Sequence, residues 1–307
     1  MQRLDLKMGF SCNCRCIFCV QGDKRARVRA STTEQLRDLL VHRREHCDEV
    51  VFTGGEVTLR GDLVSLVQLA AELGYVTIQV QTNGRLLSRE ALVDALIDAG
   101  VTEFSPALHG PDSATHDGLT SATGSFRQTV RGIVNLRRRG ARVVLNSVIV
   151  QRNAAQLADM AALFVRLDVH QFQLAFVHAL GSAARNFETV VPRYRDIEQQ
   201  LHRALAVGRD GGVRCMTEAV PLCFMVGWEG FVAERIMPDL RIVEPDREVP
   251  SYRAYRHQLG KAHGPPCEQC TWKQRCEGPW SEYPERFGWE EFIPRRDPPP
   301  ELTSRPG

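Results

Sequence analysis

No stretch of the 307-residue sequence stays apolar for the ~20 residues that a bilayer-spanning helix needs. No signal peptide precedes the first strand-like segment, so the chain is expected to be cytoplasmic, with no membrane partner. An excess of one charge is also missing. Lys and Arg total 39 against 37 Asp and Glu, a net +2, and so weak a field gives no reason to expect nucleic acid. The local basic run from Lys24 to Arg29 reads as a solvated loop. Lysine itself is scarce, occurring only as Lys7, Lys24, Lys261 and Lys273, a skew that genome composition explains as readily as function. With 43% hydrophobic and 25% charged residues, the composition excludes general disorder. Only the ending DPPPELTSRPG reads as a loose tail.

Ten cysteines are present. Without an export signal they are not expected to form structural disulfides, and thiols in a reducing compartment more often serve metals or redox chemistry. Cys12, Cys14, Cys16 and Cys19 crowd one end of the chain and Cys267, Cys270 and Cys276 the other, while Cys47, Cys215 and Cys223 stand apart. Clustering at both ends predicts two metal sites.

Between these ends, short β-rich runs alternate with longer amphipathic stretches, the pattern of βα units and a parallel sheet. Strands are predicted at Leu4–Met8, Val50–Thr53, Val76–Gln81, Glu103–Leu108, Arg142–Val150 and Gln171–Phe176. Helices are predicted near Thr33–His46, Asp62–Leu73, Ser88–Ala99, Ser125–Arg139, Asn153–Leu167 and Arg193–Val207. Six units cannot close an eight-stranded barrel. The expected fold is therefore α/β, a partial (β/α)6 TIM-type barrel over residues 1–208 with its ligands at the C-terminal strand ends. A small metal-organised domain is expected at 209–296, where periodicity fades into Pro-, Trp- and Cys-rich sequence, followed by a flexible tail at 297–307.

The run Cys12-Asn-Cys-Arg-Cys16-Ile-Phe-Cys19 carries the spacing C-x3-C-x2-C in a loop just after the first strand. Three thiolates so placed can hold three irons of a cubane and leave the fourth open to an exogenous chelate. With Cys14 as a fourth ligand the same run could hold zinc. In the three-cysteine spacing and in Phe18, just before the last cysteine, the chain resembles the radical S-adenosylmethionine superfamily. The resemblance implies that Cys12, Cys16 and Cys19 ligate a [4Fe-4S] cluster whose open iron binds S-adenosyl-L-methionine, with Cys14 a non-ligand and Phe18 beside the cofactor.

Further motifs follow the strand ends. Gly54-Gly55-Glu56 looks like the superfamily's GGE motif. Glycines allow backbone to approach a ligand closely, and Glu56 can accept a charge-assisted bond from an ammonium; the implied role is to grip the cofactor's amine. Val57 stands where relatives usually have proline. Asn83, in Gln81-Thr-Asn-Gly84, is either a ligand contact or a simple Asn-Gly turn. Ser105, His109 and Asn146 are similar to strand-end residues that face cofactor or substrate, and His109 is the candidate catalytic residue. Each has a plain structural alternative: His109 as a buried hydrogen-bonder, Asn146 as a group that satisfies its neighbours. The segment His116-Asp117 to Gly124-Ser-Phe126 is similar to peptide-modifying and cofactor-building members.

At the C-terminal end, C-x2-C-x5-C over Cys267, Cys270 and Cys276 indicates a metal site short of one ligand. It resembles the auxiliary-cluster domains called SPASM and twitch. Trp280 stands where a SPASM protein would have a further cysteine, so one auxiliary [4Fe-4S] cluster is expected. Cys223, in a proline-shaped loop, is preferred to Cys215 as its fourth ligand; four thiolates would suit zinc equally.

The resemblance implies a radical enzyme. A flavodoxin or ferredoxin would reduce the first cluster, and the 5′-deoxyadenosyl radical released from the cofactor would take a hydrogen atom from the substrate. The substrate is a ribosomal peptide or natural-product or cofactor precursor on one reading. On the other it is a small metabolite, dehydrogenated or rearranged as in twitch relatives. Only eleven residues precede Cys12, which leaves no expected space for a leader-recognition domain. A non-catalytic zinc scaffold is the alternative from outside the enzymes.

Overall fold

The computed structural model describes residues 2–299, so most of the tail expected at 297–307 lies outside the described residues. Strand alternation builds the sheet. In β1 (Gln2–Lys7), Leu4 and Leu6 point outward and are fully buried, while Arg3, Asp5 and Lys7 point into the barrel. Successive side chains of a strand lie on opposite faces, so this one segment supplies both a helix-packing face and a polar lining. β2 (Cys47–Thr53), β3 (Thr77–Thr82) and β4 (Glu103–Pro106) follow in parallel, in the order β4-β3-β2-β1. β5 (Val144–Ile149) and β6 (Gln171–Phe176) form a second parallel ladder.

The two ladders meet at β4. Pro106 has no N–H to give, and the ladder there thins to the isolated parallel bridges Phe104–Val143 and Ala107–Asn146. Strand four is accordingly shorter than the predicted 103–108.

Six helices lie close to their predicted places: α1 (Thr33–Arg43), α2 (Leu63–Glu72), α3 (Glu90–Asp98), α5 (Ser125–Arg138), α6 (Leu157–Arg166) and α9 (Tyr194–Asp210). Thr32 and Gln35 start α1 with a capping box. Unforeseen is α4 (Ser113–Thr120), started by the Asp112 carboxylate, which accepts from Thr115 N at 2.8 Å. Two one-turn helices, α7 (Ser182–Arg185) and α8 (Phe187–Val190), lead into the long α9 (Tyr194–Asp210). The apolar core lies between the helices and the outer face of the sheet, around Phe52, Val80, Phe104, Phe172 and Leu174.

The boundary expected at residue 208 does not hold in the sheet. β7 (Arg214–Glu218) pairs in parallel with β6, and β8 (Leu240–Val243) crosses to the far edge to pair in parallel with β1, followed by the antiparallel β9 (Glu248–Val249). These strands have five, four and two residues, too few for alternation to stand out in the sequence. No ladder joins β7 to β8 among the described residues, so the barrel stays open. The chain from Ala219 to Asp239 spans this gap and forms an isolated parallel bridge with β7 at Thr217–Val232. The short helices α10 (Tyr252–Tyr255) and α11 (Glu282–Phe287) flank the C-terminal cysteines. No described helix is long and apolar enough to cross a membrane.

Tyr194 anchors the C-terminal region to the barrel. Its fully buried hydroxyl donates to Ala219 O at 3.0 Å, and its backbone N–H donates to Tyr283 Oη at 3.1 Å. Tyr194→Phe is expected to cost about 1–3 kcal/mol by orphaning a buried carbonyl, and Tyr194→Ala about 3–5 kcal/mol. Both are read as urea unfolding free energies; an unchanged stability in Tyr194→Phe would show that the hydroxyl contributes nothing.

Candidate active site

The first cysteine run leaves the end of β1 and is held by backbone hydrogen bonds from several segments. Gly55 N and Glu56 N donate to Gly9 O and Ser11 O, both at 2.8 Å. Arg15 N and Ile17 N donate to Thr120 O and Leu119 O, and Ser182 N donates to Cys19 O. Asn186 Nδ2 donates to Ile17 O at 2.8 Å and Arg25 Nη1 to Cys14 O at 2.6 Å.

The two motif glycines serve this clamp. A Cβ on Gly54 would lie 2.3 Å from Gly9 O, and one on Gly55 2.2 Å from Ser11 O. What these residues approach closely is the cysteine loop, where the sequence suggested a ligand. Glu56 likewise faces inward. It is buried, Oε1 accepts from Thr58 N at 3.1 Å and from the Thr58 and Thr82 hydroxyls at 2.5 Å, and Oε2 accepts from Asn83 N at 2.6 Å. Its carboxylate thus sews the second strand-end loop to the third, with one acceptor site of Oε2 still free.

Asn83 Nδ2 donates to Asn13 Oδ1 at 2.7 Å and lies 3.8 Å from Cys12 Sγ and 3.6 Å from Cys14 Sγ. Arg85 reaches Asn13 O and Cys14 Sγ. A hydrogen bond from the Cys14 thiol draws the Cys12 thiol down to about 6, and the same bond, with burial, raises Cys14. Cys14 is therefore a buried donor to Cys12. Burial raises the Cys16 and Cys19 thiols, and the like charge of Cys12 adds to both. Among the described residues no three His, Cys, Asp or Glu side chains close in on a point as a single ion requires. A cubane is larger and spreads its thiolates over its corners.

Beside this loop the barrel interior is a polar cavity of about 1000 Å³, large enough for a nucleoside cofactor with a substrate. Gly54, Ser105 and Asn146 line it. Asn146 Oδ1 is buried there without a partner, an acceptor waiting for a ligand's donor.

His109 is elsewhere. It is buried, its Nδ1 accepts from Val148 N at 3.1 Å, and its ring packs edge-on to Phe18 at 4.8 Å, with neither ring lining the cavity. Burial, with His116 alongside, pushes its imidazole down to about 3. His116 is pushed by burial to about 4 and accepts from His109 N through Nδ1. The structural alternative thus describes His109: the backbone past Pro106 has turned the side chain away from the barrel interior. Asp117 gathers Gly124 N, Ser125 Oγ and Phe126 N at 2.6, 2.9 and 2.7 Å, so that sequence segment starts α5.

The basic run is not simply solvated. Lys24 pairs with buried Glu244 and Arg25 grips the cysteine loop, leaving Arg27 and Arg29 exposed. Arg25 and Arg85 carried no motif and were missed, as was cavity-lining His178, stacked on Trp280 at 3.8 Å.

The C-terminal cysteines also assemble. Cys223, Cys267, Cys270 and Cys276 line one pocket with Trp272 and Phe292, and Leu222 N and Gly278 N donate to Cys276 Sγ at 3.4 Å. Cys215 is apart, its thiol on Leu205 O. Four thiolates with amide donors in a pocket of apolar surface fit an iron–sulfur cluster.

Residues 6–164, just over half of the chain, match the Radical SAM superfamily. The chain belongs to this superfamily and is an enzyme of it. It is 29% identical over 142 residues to the AdoMet-dependent heme synthase of Nitratidesulfovibrio vulgaris, covering 46% of this chain and 38% of that protein. It is 29% identical over 205 residues to a probable GTP 3′,8-cyclase of Saccharolobus solfataricus (66% and 65%) and 30% identical over 195 residues to the PqqA peptide cyclase of Rhodopseudomonas palustris (63% and 51%). These matches thus take in less than two thirds of each relative. Among solved structures, Streptococcus suis SuiB bound to S-adenosylmethionine aligns over 96% of this chain and 76% of its own, at TM-score 0.68 and 14% identity. anSMEcpe with bound AdoMet aligns over 70% and 64%, at 0.58 and 16%. At such identities the likeness is one of fold.

Gly55→Ala is expected to displace the cysteine loop: reconstituted iron falls by roughly four per chain while far-UV circular dichroism is unchanged. Full iron loading would refute the clamp. The histidines predict acid lability. Folded values below the unfolded ~6.5 favour the neutral rings, so their contribution is complete above about pH 6.5 and is lost as pH falls toward 4. Urea midpoints should decline over that window, and neither ring should titrate by NMR between pH 5 and 8; a midpoint near 6.5 for His109 would refute its burial.

Proposed function

We propose that this chain reductively cleaves S-adenosyl-L-methionine and abstracts a hydrogen atom from a substrate held in the barrel, in the maturation of a peptide, natural product or cofactor. The observation that carries the reading is the clamped loop of Cys12, Cys16 and Cys19 opening onto a large polar cavity. Cluster and cofactor together supply the 5′-deoxyadenosyl radical when bound. The protein's part is to hold and shield. Cys12, Cys16 and Cys19 ligate the first cluster, Cys14 stays protonated behind it, and Asn83 and Arg85 orient the loop. Ser105 and Asn146 meet the cofactor's hydroxyls or the substrate from the inner faces of β4 and β5, and Phe18 and His109 brace the loop from behind. Cys223, Cys267, Cys270 and Cys276 hold an auxiliary [4Fe-4S] cluster, and a flavodoxin or ferredoxin delivers the electron.

A peptide substrate is supported by the likeness to PqqA peptide cyclase and by the fold shared with SuiB, also solved with its precursor peptide. The small-metabolite reading is supported by the charged lining, with Arg3, Asp5, Lys7 and Glu103 all inside the barrel.

Prepared without oxygen, the chain is expected to be brown, with about eight irons, and to form 5′-deoxyadenosine with dithionite. Combined Cys12→Ala, Cys16→Ala and Cys19→Ala should abolish cleavage and leave about four irons. Cys223→Ser should lose the other four or so, and Cys215→Ser none. Normal cleavage by the triple variant, or a colourless zinc-loaded chain, would overturn the reading. A short peptide encoded beside the gene that raises the 5′-deoxyadenosine yield would select the peptide.

A further inference from the structure

A column of rings joins the back of the first cysteine loop to the protein surface. Phe18, next to Cys19, meets the His109 ring edge-on at 4.8 Å between centroids. His109 stacks on His116 at 5.8 Å, within 10° of parallel, and His116 lies 6.1 Å from Phe126. The first three residues are buried, while Phe126 is half-buried in the first turn of α5. His116 Nδ1 also accepts from His109 N at 3.0 Å, so the middle of the column is hydrogen-bonded as well as packed. None of these four rings lines the barrel cavity.

The outer end of the column opens into a groove of about 600 Å³ on the exposed side of α5. Phe126, Val130 and Val134, four residues apart on one helix face, form its half-buried apolar stripe. Arg127, Arg131 and Arg138 stand exposed beside that stripe. Arg137 and Arg139, directed away from the groove, pair with Asp168 and Asp94. Among the described residues no ion pair engages Arg127, Arg131 or Arg138. Glu90 is the only acidic residue of the described lining, and it is committed to Arg139 at 3.0 Å. Like charges four apart on a helix repel each other, so Arg127 and Arg131 gain from an anionic partner.

A face that is apolar along its middle and cationic at its rim complements an acidic protein surface. The position of this face gives the partner its chemistry. The barrel side of the cysteine loop opens onto the cavity that cofactor and substrate fill, so an electron carrier must approach the loop from behind. Electron tunnelling weakens steeply across each gap between packed groups, and rings in contact leave few gaps.

We propose that the Phe126 groove of α5 is the docking face for an acidic flavodoxin, and that the rings of Phe126, His116, His109 and Phe18 form the path from it to the first cysteine loop. This rests on that loop holding a [4Fe-4S] cluster. One electron passes: the reduced flavodoxin is oxidised by one electron and the cluster is reduced by one. The rings carry no charge of their own at any stage. They act by filling the space between donor and acceptor, and the arginines act by holding the carrier over Phe126.

The test compares reduced flavodoxin with dithionite on the anaerobically reconstituted full chain, following bleaching of the cluster absorbance and release of 5′-deoxyadenosine. Arg127→Glu, Arg131→Glu and Arg138→Glu combined should raise the flavodoxin concentration for half-maximal bleaching about tenfold or more at low salt. Dithionite should bleach this variant as fast as the unaltered chain. Salt at about 0.5 M should bring the unaltered chain to the level of the variant. Calorimetric titration with oxidised flavodoxin should give binding heat with the unaltered chain and none with the variant, whether or not iron is loaded. Phe126→Leu should keep the half-saturating concentration but bleach severalfold more slowly at saturating flavodoxin, and Phe126→Tyr, which keeps the ring, should restore the rate. An unchanged half-saturating concentration in the arginine variant would overturn the docking face, and an unchanged saturating rate in Phe126→Leu would overturn the path. Arginine-dependent binding of a mixed-sequence RNA with no response to flavodoxin would overturn both and assign the groove to nucleic acid. If dithionite itself neither bleaches a cluster nor releases 5′-deoxyadenosine in the unaltered chain, the reading of the cysteine loop fails and the proposal falls with it.

Discussion

The site depends on backbone N–H and carbonyl groups of the first cysteine loop being taken up by hydrogen bonds from elsewhere in the chain. A loop of this length carries an entropy cost of roughly 1–2 kcal/mol per residue when ordered. Here the glycine pair after β2, the end of α4, the start of α7 and the Arg25 side chain meet that cost by bonding to it. Positions needing a close backbone approach became glycine, and the carboxylate of Glu56 ties the same turn to the next strand end. The cysteine side chains of the loop are thereby set in place by the fold, as a preorganised ligand set would require.

The barrel is built inside out relative to a closed one. In closed (β/α) barrels apolar side chains fill the interior, whereas here the inner face carries Arg3, Asp5, Gln79, Glu103 and Arg142, and the apolar core lies wholly between sheet and helices. An interior of this kind cannot collapse, since desolvating its charges would cost more than packing returns. Water or ligand must fill it. The late strand β8 then completes the β1 edge, which binds the far end of the chain into the same sheet.

Much of the fold was legible because its signals are local. Six strands and six helices follow periodicities of two and 3.6 that any long element must show. The reading failed at β7, β8 and β9, which are too short to display a period, and at α4, whose Asp112 cap went unnoticed. Of the site, the cysteine spacing and the glycine pair could be read, since both are local constraints of a turn around a ligand. Cys223 was picked out by its proline-shaped loop, and it shares its pocket with Cys267, Cys270 and Cys276. His109 went astray: a residue at a strand end faces the barrel or the helices according to register, and one step past Pro106 alters the outcome.

By itself the sequence determined the residue types and spacings: which thiols can share a cluster, where strands must end, and that the strands carry one polar and one apolar face. Tertiary structure alone decided which far-separated groups meet. Lys261 over Trp280, Arg25 on Cys14, Glu218 with Arg256 and β8 beside β1 are encounters between residues from 11 to 237 positions apart. Their energies arise from burial and Coulomb attraction, which act through space and leave no period in the chain.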